Sequence, residues 1–118
     1  MFEADNIRDW REHDVVDPDG KKIGKLEAVY VDTGSDIPVF ASVLTGMLGR
    51  RRLTFVPLDR ATVGPAYLRV AYPRKQVKDA FTMDTDGELA AADEPGLFEH
   101  YGLSYQPGAG GERRLARR

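Results

Sequence analysis

The sequence predicts a mainly β fold: a small barrel of five to six strands, one short carboxy-terminal helix, and a flexible tail. Three observations predict it. Short runs of β-branched and aromatic residues recur with turn residues every 8 to 12 positions or so, across about 70 residues. One helical periodicity follows them. The last residues, "PGAGGERRLARR", are rich in glycine and arginine and carry too little apolar surface to build a core. At 118 residues the chain has room for one domain, read here as residues 1 to 106, with 107 to 118 as a disordered Gly/Arg-rich tail.

The elements follow in order. "DVVD", residues 14 to 17, is a short apolar run that ends at "DPDGKK", where Pro18 presets φ and Gly20 accommodates a positive one, so a hairpin is expected. In "KIGKLEAVYVD" the apolar positions Ile23, Leu26, Val29 and Val31 keep no single period of two. The segment is therefore either a helix or a strand with broken register. Gly24 and the β-formers Val29, Tyr30 and Val31 favour the strand, with a bulge between Leu26 and Val29. "DTGSD" is a second turn cluster. "IPVFASVLTG" places Val39, Ala41 and Val43 on one face and Phe40, Ser42 and Leu44 on the other, the pattern of a central strand. After the turn "GMLGRRR" come the strands "LTFVPL" and "YLRVAY", then "PRKQVKDAF", a short helical turn opened by Pro73. "DEPGLFEHYG", residues 93 to 102, reads as a helix with Asp93 as N-cap, Pro95 in the first turn, Leu97, Phe98 and Tyr101 on one face, and Gly102 as the stop.

Composition excludes several classes of function. There is no cysteine, hence no disulfide, no thiolate zinc site and no cysteine nucleophile. No run of about 18 apolar residues is present, and "MFEADNIRDWREHD" lacks the order of a signal peptide, so a cytoplasmic protein is expected. The net charge of −2 is uneven: the tail holds Arg113, Arg114, Arg117 and Arg118 against Glu112, which leaves the body distinctly acidic. An acidic body argues against a general nucleic-acid binder.

Each group with possible chemistry has a structural alternative. Asp17-x-Asp19-Gly20 and Asp84-x-Asp86-Gly87-Glu88 look like fragments of calcium loops, but the closing position holds Ala28 in one and Pro95 in the other. Turn geometry is the better use for both. "KKIGKL" has neither P-loop spacing nor a helix amino terminus to hold phosphate. The sequence shows no constellation of nucleophile, base and carboxylate around His13 or His100, and His100, between Glu99 and Tyr101, suits the carboxy-terminal end of a helix dipole. Hence no catalytic residue, cofactor or metal ligand is assigned. Arg50, Arg51 and Arg52 enter a strand with Arg51 on the face opposite its neighbours. They serve either as a charged edge that resists strand addition or as a contact to RNA or an acidic partner. Trp10, the only tryptophan, and Phe2 lie outside the strands and either cover a barrel end or anchor an interface.

The segments "VVDPDGKKIGKLEAVYVDTGSDIPVFASVLTG", "RRRLTFVPL" and "YLRVAYPRKQVKDA" together resemble the PRC-barrel family, the small β-barrel shared by the photosynthetic reaction centre H subunit and the carboxy-terminal part of the ribosome maturation factor RimM. "DGELAAADEPGLFEHYGLSY" is similar to the end of stand-alone bacterial members. The resemblance implies a structural and interaction module that docks on ribosomal or membrane-complex partners. It brings no common catalytic set.

The expected function is therefore a non-enzymatic adaptor that self-associates and binds a protein partner, cytoplasmic or peripheral to a membrane complex. The alternatives are an RNA- or ribosome-associated factor and a small ligand-binding protein or hydrolase. Strands apolar on both faces need an outer cover: the carboxy-terminal helix, a second copy, or a partner. The candidate interface is Trp10, Val39, Phe40, Arg50, Arg51, Arg52, Phe98 and Tyr101, and a homodimer is expected because Val39, Phe40, Val43 and Leu44 cannot all enter one small interior.

Overall fold

The computed structural model describes residues 10–46, 50–106 and 113–118. Among them are strands β1 (Asp14–Val16), β2 (Lys22–Asp32), β3 (Pro38–Thr45), β4 (Arg52–Pro57), β5 (Thr62–Val63), β6 (Tyr67–Arg69), β7 (Thr82–Met83) and β8 (Leu115–Arg117). Helix α1 (Arg74–Lys78) lies between β6 and β7. A 3-10 turn, Ala91–Asp93, leads into α2 (Glu94–His100). The strands form one sheet in the order β5-β6-β1-β2-β3-β4-β7, with β8 on β2. This exceeds the expected five to six because β5, β7 and β8 have only two or three residues each, too short to show a period. The path of paired strands is not closed: β5 and β7 stand at its ends.

The first hairpin forms as its turn residues require. Gly20 has φ +85° and its N–H donates to the Asp17 carbonyl. Asp17 Oδ1 accepts the N–H groups of Asp19 at 3.0 Å and Lys21 at 2.8 Å, which explains why this buried carboxylate belongs to the turn. β2 breaks register between Leu26 and Ala28, the site of the expected bulge, and again between Tyr30 and Val31. The first break sets Glu27 at the bulge, where its Oε1 accepts the Ser42 hydroxyl at 2.7 Å. Between β2 and β3, Asp32 Oδ2 accepts the N–H and hydroxyl of Ser35, and Asp36 takes φ +62°.

β3 is central, paired with β2 and β4; its Phe40, Ala41 and Val43 are buried within the chain, while Val39 and Leu44 are half-buried. Phe40 meets Phe98 edge-on at 5.2 Å and Tyr101 at 6.2 Å, so α2 is the outer cover of this strand. Tyr30 meets Phe55 at 5.3 Å and its hydroxyl accepts the Leu89 N–H. The Tyr101 hydroxyl donates to the Phe55 carbonyl at 2.6 Å, tying α2 to β4. Pro73 opens α1, and Gly102 ends the turn after α2 at φ +69°. Asp93 occupies the N-cap position without a side-chain capping bond, because the preceding 3-10 turn already holds it in helical geometry.

The tail requires a correction. Residues 113–118, expected to be disordered, contain β8, which pairs antiparallel with β2 through Tyr30–Arg117, Val31–Ala116 and Asp32–Leu115. Leu115 is buried in the core. The boundary drawn at residue 106 therefore cuts through one sheet. Residues 107–112, Phe2 and the tip of the "GMLGRRR" turn lie outside the described residues.

Gly24 sits where β3 comes closest. A Cβ there would lie 2.2 Å from the Leu44 carbonyl oxygen and 2.8 Å from Val43 Cγ1, both fixed within the sheet. Gly24→Ala is expected to destabilise the fold by about 1–3 kcal/mol, the usual cost of overpacking, as measured by urea unfolding.

Candidate functional site

A group of hydrogen bonds surrounds Glu94, the first residue of α2 and fully buried. Its carboxylate accepts the backbone N–H of Arg114 at 3.0 Å and of Leu115 at 3.0 Å, and the Tyr105 hydroxyl at 2.6 Å. A buried carboxylate demands such donors, because an unpaired one would retain its full desolvation cost. Glu94, Leu97, Phe98 and Tyr101 stand at i, i+3, i+4 and i+7, so helical periodicity alone turns Glu94 toward the core. That spacing was the signal available in the sequence, and an acid beside Asp93 reads instead as part of a polar helix start.

The four tail arginines are engaged. Arg114 pairs with Asp32 at 2.8 Å, Arg113 with Glu88, Arg117 with Glu27 and Arg118 with Asp36. The acidic body and basic tail are thus complementary surfaces of one fold. Burial pushes the Tyr105 hydroxyl up to about 12, and its bond to Glu94 adds to the rise. Burial likewise raises Tyr101, Tyr30 and Tyr72, with the carboxylate of Asp59 contributing at Tyr72.

Two cavities flank the start of β3. One, about 400 Å³, is lined by Ile37, Val39, Phe98, Tyr105, Arg114 and Leu115 among others. The other, about 390 Å³, is lined by Ile37, Val39, Leu58, Asp59, Arg60 and Ala61, with Pro38. Ile37 and Val39 form the ridge between them, and Ile37, 57% exposed, is the most open large apolar residue among those described. The Asp32–Ser35 turn lifts it there. Asp59 accepts the Tyr72 hydroxyl at 2.9 Å, and the Arg60 guanidinium lies 5.6 Å from the Tyr72 ring centre.

A third cavity, about 270 Å³, carries basic groups: Lys22, Lys25 and Arg51 line it beside Ile23 and Leu44. Both lysines reach Asp14 Oδ1 at 3.4 Å. Slight desolvation acts upward on the Asp14 carboxyl, and the bonds and charges of Lys22 and Lys25 outweigh it, holding it below its usual value.

These positions divide the expected interface. Trp10, Phe40 and Tyr101 are buried in the core of this chain and not on its surface, and the rings of Phe40 and Tyr101 pack on each other. Val39 and Phe98 are half-buried and border the same cavity. Arg50 and Arg51 are exposed and precede the strand, while Arg52 pairs with Asp84 at 2.9 Å from the first position of β4. The structure does not bring the arginine run and the aromatic residues into one surface. Asp84 also accepts the Gly87 N–H at its carbonyl, and His100 Nε2 lies 2.8 Å from the Gln76 carbonyl, tying α2 to α1. His13 is half-buried and its carbonyl accepts the Leu26 N–H. Among the described residues no cluster of three His, Asp or Glu side chains is placed to hold a metal.

The sequence pattern of one family, the PRC-barrel domain, matches residues 2–89, which span β1 to β7. This chain belongs to the PRC-barrel family. The match ends at Leu89, so α2 and β8 lie beyond it. Among curated proteins none matches. No helix among the described residues of this PRC-barrel protein is long and apolar enough to cross a membrane.

Glu94, with the Tyr105 hydroxyl and the N–H groups of Arg114 and Leu115, forms a clasp on the terminus, and two outcomes follow. Glu94→Ala orphans buried donors and is expected to cost roughly 1–3 kcal/mol for each, read by chemical unfolding. The tyrosines give the sign of the alkaline response. Their ordinary value is 10.0 and the folded value of Tyr105 is about 12, so the stabilisation is complete below pH 10 and declines as pH rises toward 12. Tyrosinate absorbance followed alongside circular dichroism should show late ionisation in the folded chain, and Tyr105→Phe should remove one late-titrating group.

Proposed function

We propose that this PRC-barrel protein is a non-enzymatic interaction module of the cytoplasm that pairs with itself and holds a protein partner. The observation that carries the reading is the apolar ridge of Ile37 and Val39 between two cavities. Contiguous apolar surface with a polar rim is the common form of a protein contact site. Asp32 and Arg114 border the ridge on one side, Asp59 and Arg60 on the other, so each rim holds both signs of charge. A second copy related by a two-fold axis would meet opposite charges on both rims. Phe40, covered by α2, takes no part, and the self-association is assigned to the Ile37 face instead.

Sedimentation tests this directly. The wild-type chain is expected as a dimer at micromolar concentration and Ile37→Asp as a monomer of 13.1 kDa with unchanged melting. A wild-type monomer, or a dimer indifferent to Ile37→Asp, would overturn the assignment.

An RNA-associated role is the second reading, favoured by the basic cavity of Lys22, Lys25 and Arg51. The engaged tail arginines weigh against it, since four of the strongest phosphate ligands are held by acids of the same chain. Anisotropy with mixed-sequence RNA at about 150 mM salt is expected to show no micromolar binding. Micromolar binding that Arg51→Glu abolishes would favour the RNA reading.

A further inference from the structure

The C-terminal segment is held as a ligand is held. Three β2 positions pair with its backbone, Thr33 N–H donates to the Arg114 carbonyl, and Arg118 N–H donates to the Val29 carbonyl. Glu94 receives the N–H groups of Arg114 and Leu115, Leu115 fills the core, and four acids meet four arginines. None of these contacts depends on the segment belonging to the same chain. A separate strand with the sequence of residues 113–118 could make all of them.

The body supplies a complete recognition pattern. β1 covers Lys22 to Lys25 on one edge of β2 and stops there, leaving that edge open from Val29 to Asp32, while β3 covers the other edge. An open strand edge takes an extended peptide through main-chain bonds, and neighbouring pockets choose its side chains. Here one apolar socket takes a leucine, and the acids Asp32, Glu27, Asp36 and Glu88 select arginines around it.

We propose that the open edge of β2 together with Glu94 is a strand-binding site for an arginine-flanked aliphatic segment, and that its occupant in trans is the C-terminal strand of a second copy. The choice of a second copy rests on the self-association proposed above; the site itself does not. The second copy carries the one sequence whose fit is shown atom by atom. Exchange of an identical element replaces each contact by the same contact, so the balance between closed and exchanged forms is set by concentration. A tail on a short connection competes at an effective concentration on the order of millimolar. The closed form therefore dominates in dilute solution, and exchange emerges where chains are crowded or the chain's own tail is disabled.

The test uses full-length chains, all carrying Ile37→Asp so that the apolar ridge takes no part. An acceptor carries Arg114→Glu and Arg117→Glu, which set its own tail against Asp32 and Glu27 while leaving the site intact. A donor carries Glu94→Gln, with a weakened site and an intact tail. A fluorescent peptide of residues 113–118 is expected to bind the acceptor saturably, to weaken on the order of tenfold as salt rises from about 50 to 200 mM, and to lose binding when its leucine is replaced by aspartate. Donor and acceptor labelled in two colours should co-sediment when mixed at about 100 µM and remain monomeric apart. Absence of peptide binding up to about 1 mM would overturn the site. Peptide binding without a mixed species would overturn the second copy as occupant. An acceptor that does not fold would overturn the whole proposal, since a binding site must survive without its ligand. Indifference of the wild-type dimer to Ile37→Asp bears only on the ridge.

Discussion

The eleven-residue strand β2 is paired along both of its edges, and that pairing organises the molecule. β2 gives its inner edge to β3 along most of its length. Its outer edge is divided between β1 at the start and β8 at the end, elements from opposite ends of the chain. The break at Glu27 separates the two halves, and Glu27 bridges them, accepting Ser42 from β3 while pairing with Arg117 of β8. Bending the strand and recruiting the terminus are one structural solution. Without β8 the second half would expose both the main chain and the socket that Leu115 fills.

Helix α2 joins the two ends of this arrangement. Its buried face covers Phe40 and reaches Phe55 through the Tyr101 hydroxyl. Its first residue holds the terminus. One seven-residue helix therefore supplies the outer cover of the sheet and the anchor for its last strand. A carboxylate is suited to the second task because it accepts several N–H groups at once, and charge-assisted bonds are stronger than neutral ones. The acidic residues around β2 have the same logic in weaker form. Exposed pairs contribute little individually. Together these acids pair with all four arginines of the terminus.

The surface that remains open lies on the other side of this anchor. Ile37 and Val39 border cavities whose walls include Phe98, Tyr105 and Leu115, so the clasp and the proposed contact ridge share residues. A change in the tail would alter the shape of the ridge.

The sequence by itself determined the local parts: the Asp17–Gly20 turn, the bulge after Leu26, the central character of β3, the helical turn after Pro73 and the stop at Gly102. Each depends on φ preferences or side-chain periods that act over a few residues, and these suffice to mark the PRC-barrel family. Only the tertiary structure decided that Phe40, Trp10 and Tyr101 are buried, and for Phe40 and Tyr101 the cover is an element far along the chain. It also decided the terminus. A single leucine among arginines has no period to read and, taken alone, favours disorder. Its order comes from Glu94 and the acids of β2 and its neighbours, about 20 to 90 residues away in the chain, and such long-range complementarity is realised only when the sheet is assembled.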